Sequence, residues 1–228
     1  RQLHAEVVAD VLAQSGERLL VSARVLVLVE PQVKVVACRG HDALGEVVVG
    51  EDAVPLLIDV LKEIKEADGF ESVLIMSENA MLTASYETDM PVSGIEELAD
   101  DVLDMHDIGA GPASGSFKTA GMIVVPCSMK TVAGINAGYS DNLILRAADV
   151  TIKEQRPLIL AVREAPLSAI HLRNMSELSL IPGVRIIPPL MTFYNRPEDI
   201  KEMISGFTAR LLEPFGINTP SYKRWDNK

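Results

Sequence analysis

The sequence predicts an α/β protein: a parallel sheet with helices on both faces. Three observations carry this. Short, continuously apolar runs such as 122–125 recur, as strands covered on both faces require. They alternate with segments of helical period; Leu56, Leu57, Val60, Leu61 and Ile64 share one face. The stretch 121–138 passes from an apolar run straight into a helix with Ser128 at the cap position. Strands alternating with helices in this way build parallel sheets.

The elements follow in order. Residues 1–17 read as a short helix with an apolar stripe of Leu3, Val7, Val8, Val11 and Leu12, stopped at Gly16. Residues 19–29 are strand-like, and 33–38 form a second β run after Pro31. The turn-rich 40–45 closes this block, which has β-hairpin character and no helix between its strands. The boundary of the main domain is placed near Gly45, with 1–45 as an atypical β-rich N-terminal extension, 46–215 as the main domain and 216–228 as a tail.

From Gly45 the pattern gives a strand at 46–49, a helix at 54–65, a strand at 72–76 and a helix at 78–86. Residues 89–118 read as irregular, with one short helical piece at 94–101; a loop of that length is usually functional or mobile. A strand at 122–125 is expected to stop at Pro126, which cannot donate to a ladder. Helices at 141–151 and 167–180 flank a strand at 157–162. A short strand at 184–187 ends at Pro188-Pro189, and the last helix spans 197–212, with proline early in it. The tail carries Phe215, Tyr222 and Trp225.

Composition narrows the function classes. The chain has 228 residues, 48% of them hydrophobic, enough for one sizeable core. A net charge of −11 argues against nucleic acid or an anionic membrane as the main partner, while leaving room for a local basic pocket. Two cysteines, Cys38 and Cys127, without CxxC spacing, argue against a disulfide framework or a zinc site and for a reducing, cytoplasmic setting. No run of 18 apolar residues occurs, and Arg1, Glu6 and Asp10 do not suit a signal peptide.

In parallel sheets, ligands sit outside the carboxyl ends of the strands. That rule selects Ser77, Ser128, Thr131, Arg163 and Glu164, which converge on one edge if their strands are neighbours. A helix start such as Ser128–Thr131 attracts anions, phosphate above all. Taken alone, Ser128 is more often an ordinary helix cap, and an Arg-Glu pair more often structural. The sequence GxxxxGK[ST] of a nucleoside-triphosphate loop is absent. The charged run 153–156 reads as a solvated face. His106 and His171 stand apart without metal-ligand spacing, and Cys127, after an apolar strand, reads as inert. Residues 113–119 are small and flexible; they either let backbone approach a ligand or form a linker.

Seven motifs occur in order: ASGSFKT at 113–119, VPCSMKT at 125–131, DNLILRAADV at 141–150, IKEQRP at 152–157, VREAPLSAIHLRNM at 162–175, FYNRP at 193–197 and KRW at 223–225. With them the chain resembles the UbiX-type flavin prenyltransferases, including homologues once called aromatic-acid or phenolic-acid decarboxylase subunits. The resemblance runs from about residue 56 to residue 225. It implies a Rossmann-like, flavodoxin-type sheet that binds FMN, in a homo-oligomer, usually a dodecamer. It implies transfer of the dimethylallyl group of dimethylallyl phosphate to N5 and C6 of reduced FMN, without a metal. The product serves a UbiD-type decarboxylase.

By motif, the resemblance assigns Ser77 and the turn Ser128, Met129, Lys130 and Thr131 to FMN, with Arg163 against the flavin. Tyr194 and Arg210 match the ligands of the dimethylallyl phosphate. Lys153 and Glu164 match partners of that phosphate, and Arg146 matches the arginine of the RAADV motif. Glu87 matches a carboxylate close to the reacting groups, and Trp225 a tail tryptophan that closes over the substrate. These residue types suit the reaction. Fixed donors stabilise a departing phosphate, an aromatic face stabilises an allyl cation, and a carboxyl moves a proton.

One stretch departs from the family pattern. Where the family has GxTGASG, this chain has 47–55, Val-Val-Val-Gly-Glu-Asp-Ala-Val-Pro, and only Gly50 remains as a flavin-turn residue. Glu51 and Asp52 would each oppose a flavin phosphate at 4–6 Å by on the order of 3–4 kcal/mol before screening, at an effective dielectric of about 20. Two readings follow: a working prenyltransferase, or a non-catalytic scaffold or decarboxylase-associated subunit with weakened FMN binding.

Overall fold

The computed structural model describes residues 23–29, 53–193, 195–219 and 222. Its first strand, β1, is Ala23–Val29, Ala-Arg-Val-Leu-Val-Leu-Val. Helix α1 (Ala53–Glu66) and strand β2 (Phe70–Met76) come next. Helices α2 (Glu78–Glu87) and α3 (Val92–Glu96) lead to strand β3 (Asp101–Asp104) and a 3-10 turn at Gly111–Ala113. Strand β4 (Gly121–Cys127) enters helix α4 (Met129–Asn136), and helix α5 (Leu143–Lys153) returns to strand β5 (Leu158–Val162). Helix α6 (Ala169–Ser179), strand β6 (Val184–Ile186), helix α7 (Ile200–Leu212) and a 3-10 turn at Glu213–Phe215 complete the order.

The six strands are ordered β3-β2-β1-β4-β5-β6, and every described pairing is parallel. β1 is at the centre, in register with β2 from Ala23↔Phe70 to Val29↔Met76 and with β4 from Val25↔Gly121 to Leu28↔Val124. The winding reverses between β1 and β4, so the crevice outside their carboxyl ends is the expected ligand position.

Side chains alternate across the sheet and fill a core on each face. Val25, Val27, Ile123 and Val125 pack with Leu57, Val60, Leu61 and Ile64 of α1 and with Leu211 and Leu212 of α7. Leu26, Met122 and Val124 pack the other way, against Val132 of α4, Leu143 and Ile144 of α5 and Leu178 of α6. The predicted helices on both faces are therefore present. No helix among the described residues is long and apolar enough to cross a membrane.

Four expectations differ from what is found. The main sheet was expected to begin at 46–49, which lies outside the described residues; the strand at its centre is Ala23–Val29, from the block before Gly45. An apolar β run shows that a strand exists, but its partners lie some 45 and 95 residues further on and leave no local mark. Residues 89–118 hold an edge strand, β3, whose Asp-Val-Leu-Asp sequence is too short and acidic to display a period. Strand β4 does not stop at Pro126. It runs on to Cys127, which pairs with Val162 across a register irregularity after Val124, the kind of position a strand proline occupies. The last helix starts at Ile200 under an Asp199 cap, so Pro197 stands before it rather than inside it.

Candidate functional site

Because the strands are parallel, all their carboxyl ends open on one edge. Ser77 follows β2, Ser128 follows β4 and Arg163 follows β5. β5 is hydrogen-bonded beside β4, and the Arg163 N–H donates to the Cys127 carbonyl at 3.2 Å, which fixes Arg163 next to Ser128. Ser77 is farther away: β1 intervenes, so two strand spacings, about 9–10 Å, separate it from the β4 end. The gap between them is the mouth of the β1–β4 crevice.

Both serines cap helices. Ser77 Oγ accepts from the Ala80 N–H at 3.2 Å, and Ser128 Oγ accepts from the Thr131 N–H at 3.3 Å. The Ser128 and Thr131 hydroxyls lie 3.2 Å apart. Ser77, Ser128, Met129 and Thr131 are all buried, while Lys130 is exposed beside them. Two helix N-termini with buried hydroxyls thus face one edge, each with a partial positive charge. This donor set fits an anionic phosphate and the hydroxyls attached to it.

Glu164 is exposed next to Arg163, and its Oε1 accepts from the Ala165 N–H at 3.1 Å. Glu87 ends α2 and accepts, through Oε2, the Val54 N–H at 3.1 Å, which places a carboxylate on the first turn of α1. Arg146 lies in α5, whose start is tied to the loop after β3 by the Leu143 N–H donating to the Met105 carbonyl at 2.8 Å. Its guanidinium donates to the Ala113 carbonyl at 3.2 Å and to Asp149 at 2.7 Å.

A cleft of about 180 Å³ opens beyond β6, between the segment 187–197 and α7. Arg210, Asn195, Thr192 and Glu202 supply its polar wall, and Met203, Phe207 and Tyr222 its apolar one. The Arg210 guanidinium is 3.1 Å from Glu213. The cleft joins an apolar groove lined by Leu56, Leu190, Met191 and Phe207.

Lys153 is elsewhere. It ends α5, which runs from the carboxyl edge back to the start of β5, so the full length of β5 separates Lys153 from Glu164. At about 3.3 Å per residue, that is more than 15 Å. One chain does not bring these two residues together. Gly50, Tyr194 and Trp225 lie outside the described residues. No group of three or more His, Cys, Asp or Glu among the described residues could hold a metal ion.

Two readings of sequence alone change. The run 153–156 is not simply a solvated face: Arg156 is largely buried, at 13% side-chain exposure, and donates to the Phe117 and Gly115 carbonyls, each at 2.8 Å, and to Thr119 Oγ1 at 3.2 Å. Residues 115–119 are accordingly pinned rather than a free linker. Thr192 and Asn195 of the cleft were not singled out; their only sequence signal is their place around the FYNRP motif.

Comparison with known proteins agrees with this geometry. The Flavoprotein family model matches residues 46–209. A protein of Sedimentibacter hydroxybenzoicus named "Probable UbiX-like flavin prenyltransferase" is 45% identical over 177 residues, covering 78% of this chain and 93% of that protein. The crystal structure of a dodecameric FMN-dependent UbiX-like decarboxylase from Escherichia coli O157:H7 superposes with a TM-score of 0.79 at 39% identity, over 90% of this chain and 100% of that one. AnUbiX, solved in complex with FMN and dimethylallyl pyrophosphate, gives 0.78 at 38% identity, over 90% of this chain and 98% of that one. The chain belongs to the flavoprotein family, among its UbiX-like flavin prenyltransferases.

Proposed function

We propose that this chain is a flavin prenyltransferase. It joins the dimethylallyl group of dimethylallyl phosphate to reduced FMN, at N5 and C6, and the product serves a UbiD-type decarboxylase. The observation that carries this reading is that the chain holds two features suited to anions: the capped helix starts at Ser77 and Ser128, and the Arg210 cleft beyond β6. Two phosphate-bearing ligands need two such places. AnUbiX, 38% identical, is a protein solved with two such molecules.

Reduced FMN supplies the nucleophile; the chain's own residues orient the partners and handle charge. Ser77, Ser128 and the first turn of α4, with Met129, Lys130 and Thr131, hold the flavin, and Arg163 lies against it. Gly50, what remains of the family's flavin turn at 47–55, is assigned to the flavin by motif. Arg146 steadies the neighbouring loop through the Ala113 carbonyl. Arg210 binds the donor phosphate in the cleft, and Tyr194 is assigned to the same phosphate by motif. When the allylic C–O bond breaks, negative charge grows on the phosphate, and fixed cationic donors in a confined site lower that barrier most. By motif, Trp225 supplies the aromatic face that stabilises a developing allyl cation. Glu164 moves a proton with the phosphate. Glu87 keeps a carboxylate on the first turn of α1, close to the reacting groups. No metal is required.

Lys153 sits at the opposite edge of its own chain, so it serves the donor phosphate of a neighbouring copy in a homo-oligomer, which we take to be a dodecamer as in the Escherichia coli O157:H7 relative. Two cysteines in 228 residues suit a cytoplasmic setting. The test is turnover. Purified chain, FMN, a reductant and dimethylallyl phosphate are incubated without oxygen, and the flavin is weighed by mass spectrometry. Prenylated FMN is the expected product. No flavin binding at tens of micromolar, with no product, contradicts the reading.

A further inference from the structure

We infer that Glu154 is a positioning residue for Lys153, held in place by Arg156 and by the absence of a side chain at Gly115. The consequence for catalysis rests on the function proposed above; the pairing itself does not.

One Glu154 carboxylate faces two cations. Its Oε1 is 4.0 Å from Lys153 Nζ and its Oε2 is 3.8 Å from Arg156 Nη2. Arg156 is the anchor, because its Nη1 and Nη2 groups also donate to the backbone and a hydroxyl of residues 115–119. Glu154 then lies across Gly115. A Cβ at Gly115 would collide with Glu154 Oε1 and stand 2.7 Å from its Cδ. Gly115 is therefore small because the carboxylate occupies its side-chain space. The series runs from a pinned loop, through Arg156, to Glu154 and out to Lys153, whose side chain is half exposed.

A lysine on a four-carbon stem loses rotamer entropy when it must meet a phosphate. Glu154 removes part of that loss beforehand by confining the ammonium to one side of the α5 terminus. A carboxylate at this distance holds the lysine without occupying all of its donors. Lys153 is left oriented for an anion supplied by another copy. This is support of a substrate-binding group by a residue that does not touch the substrate.

Two single variants and their double decide the matter. Glu154→Gln keeps shape and removes charge. Gly115→Ala keeps the charge and displaces it, and the collision falls on the end of a flexible side chain, so the fold is retained. Each single variant should raise KM for dimethylallyl phosphate roughly two- to fivefold, the range of a partly exposed ion pair, with kcat and FMN affinity unchanged. Because both act through one carboxylate, the double variant should be no worse than either single one. A loop merely loosened by Gly115→Ala would instead give additive losses and weaker FMN binding, and that result overturns the inference.

A second readout needs no substrate. Acetylation of Lys153 by acetic anhydride, mapped by mass spectrometry against exposed Lys201, should quicken to the same extent in all three variants once the carboxylate no longer covers the ammonium. Unchanged labelling overturns the pairing. If the wild-type chain makes no prenylated flavin, the proposed function fails, while the labelling series still decides whether Glu154 holds Lys153.

Discussion

Arg210 separates ligand chemistry from stability. Its ion pair with Glu213 is exposed, at 58% and 38% for the two side chains, and such pairs stabilise a fold by at most about 1 kcal/mol. Arg210→Ala should lower turnover about 100-fold or more, as loss of a phosphate-stabilising donor does, while flavin affinity and melting temperature hold. Ser128→Ala should do the reverse. It removes the α4 cap, costing about 1 kcal/mol, and a buried hydroxyl from the flavin edge, so a flavin titration should weaken together with a denaturant midpoint. Glu63 of α1 gives a pH signature. Burial pushes its carboxyl above the ordinary value of 4.5, and the Asp59 and Glu66 carboxylates push the same way. A raised carboxyl binds its proton more tightly in the folded state, so it costs stability as pH rises from 4.5 through the folded value. Glu63→Gln should therefore be the more stable protein at neutral pH, with the advantage vanishing below pH 4.5 in denaturant melts at several pH values.

Strand β1 is the element whose role the fold decides. Leu26 is 2% exposed and packs against Met122, Val124 and the helices of one face. Leu26→Ala should cost about 2–5 kcal/mol by chemical denaturation, the usual loss for a core truncation; a change under about 0.5 kcal/mol, typical of surface sites, would deny it a central place. Element types were largely legible in the sequence. The stripe Leu57, Val60, Leu61 and Ile64 shows helix α1 because its period is local, and Ser128 marks a helix start because capping is local. The centre of the sheet was not legible, because pairing between Val25 and Gly121 is a contact across 96 residues. Strand β3 was missed for a different reason: an exposed edge strand has no buried face to impose alternation.

At the scale of the whole molecule, the carboxyl edge was legible and the reach across it was not. Ser77, Ser128 and Arg163 could be placed there by the rule for parallel sheets, since each directly follows an apolar strand. Lys153 and Glu164 both match partners of the donor phosphate by motif, yet they lie at opposite ends of β5 in one chain, a separation that motif order does not reveal. A chain lacking residues 1–45 would lose the strand between β2 and β4 and should express without a cooperative melting transition. The most direct test of the account is a crystal structure with FMN and dimethylallyl phosphate bound. It should show the flavin phosphate outside the carboxyl ends of β1 and β4, beside Ser128, and the donor phosphate within hydrogen-bond reach of Arg210. Flavin density at the opposite edge, beside residues 115–119, or a donor phosphate away from Arg210, would contradict it.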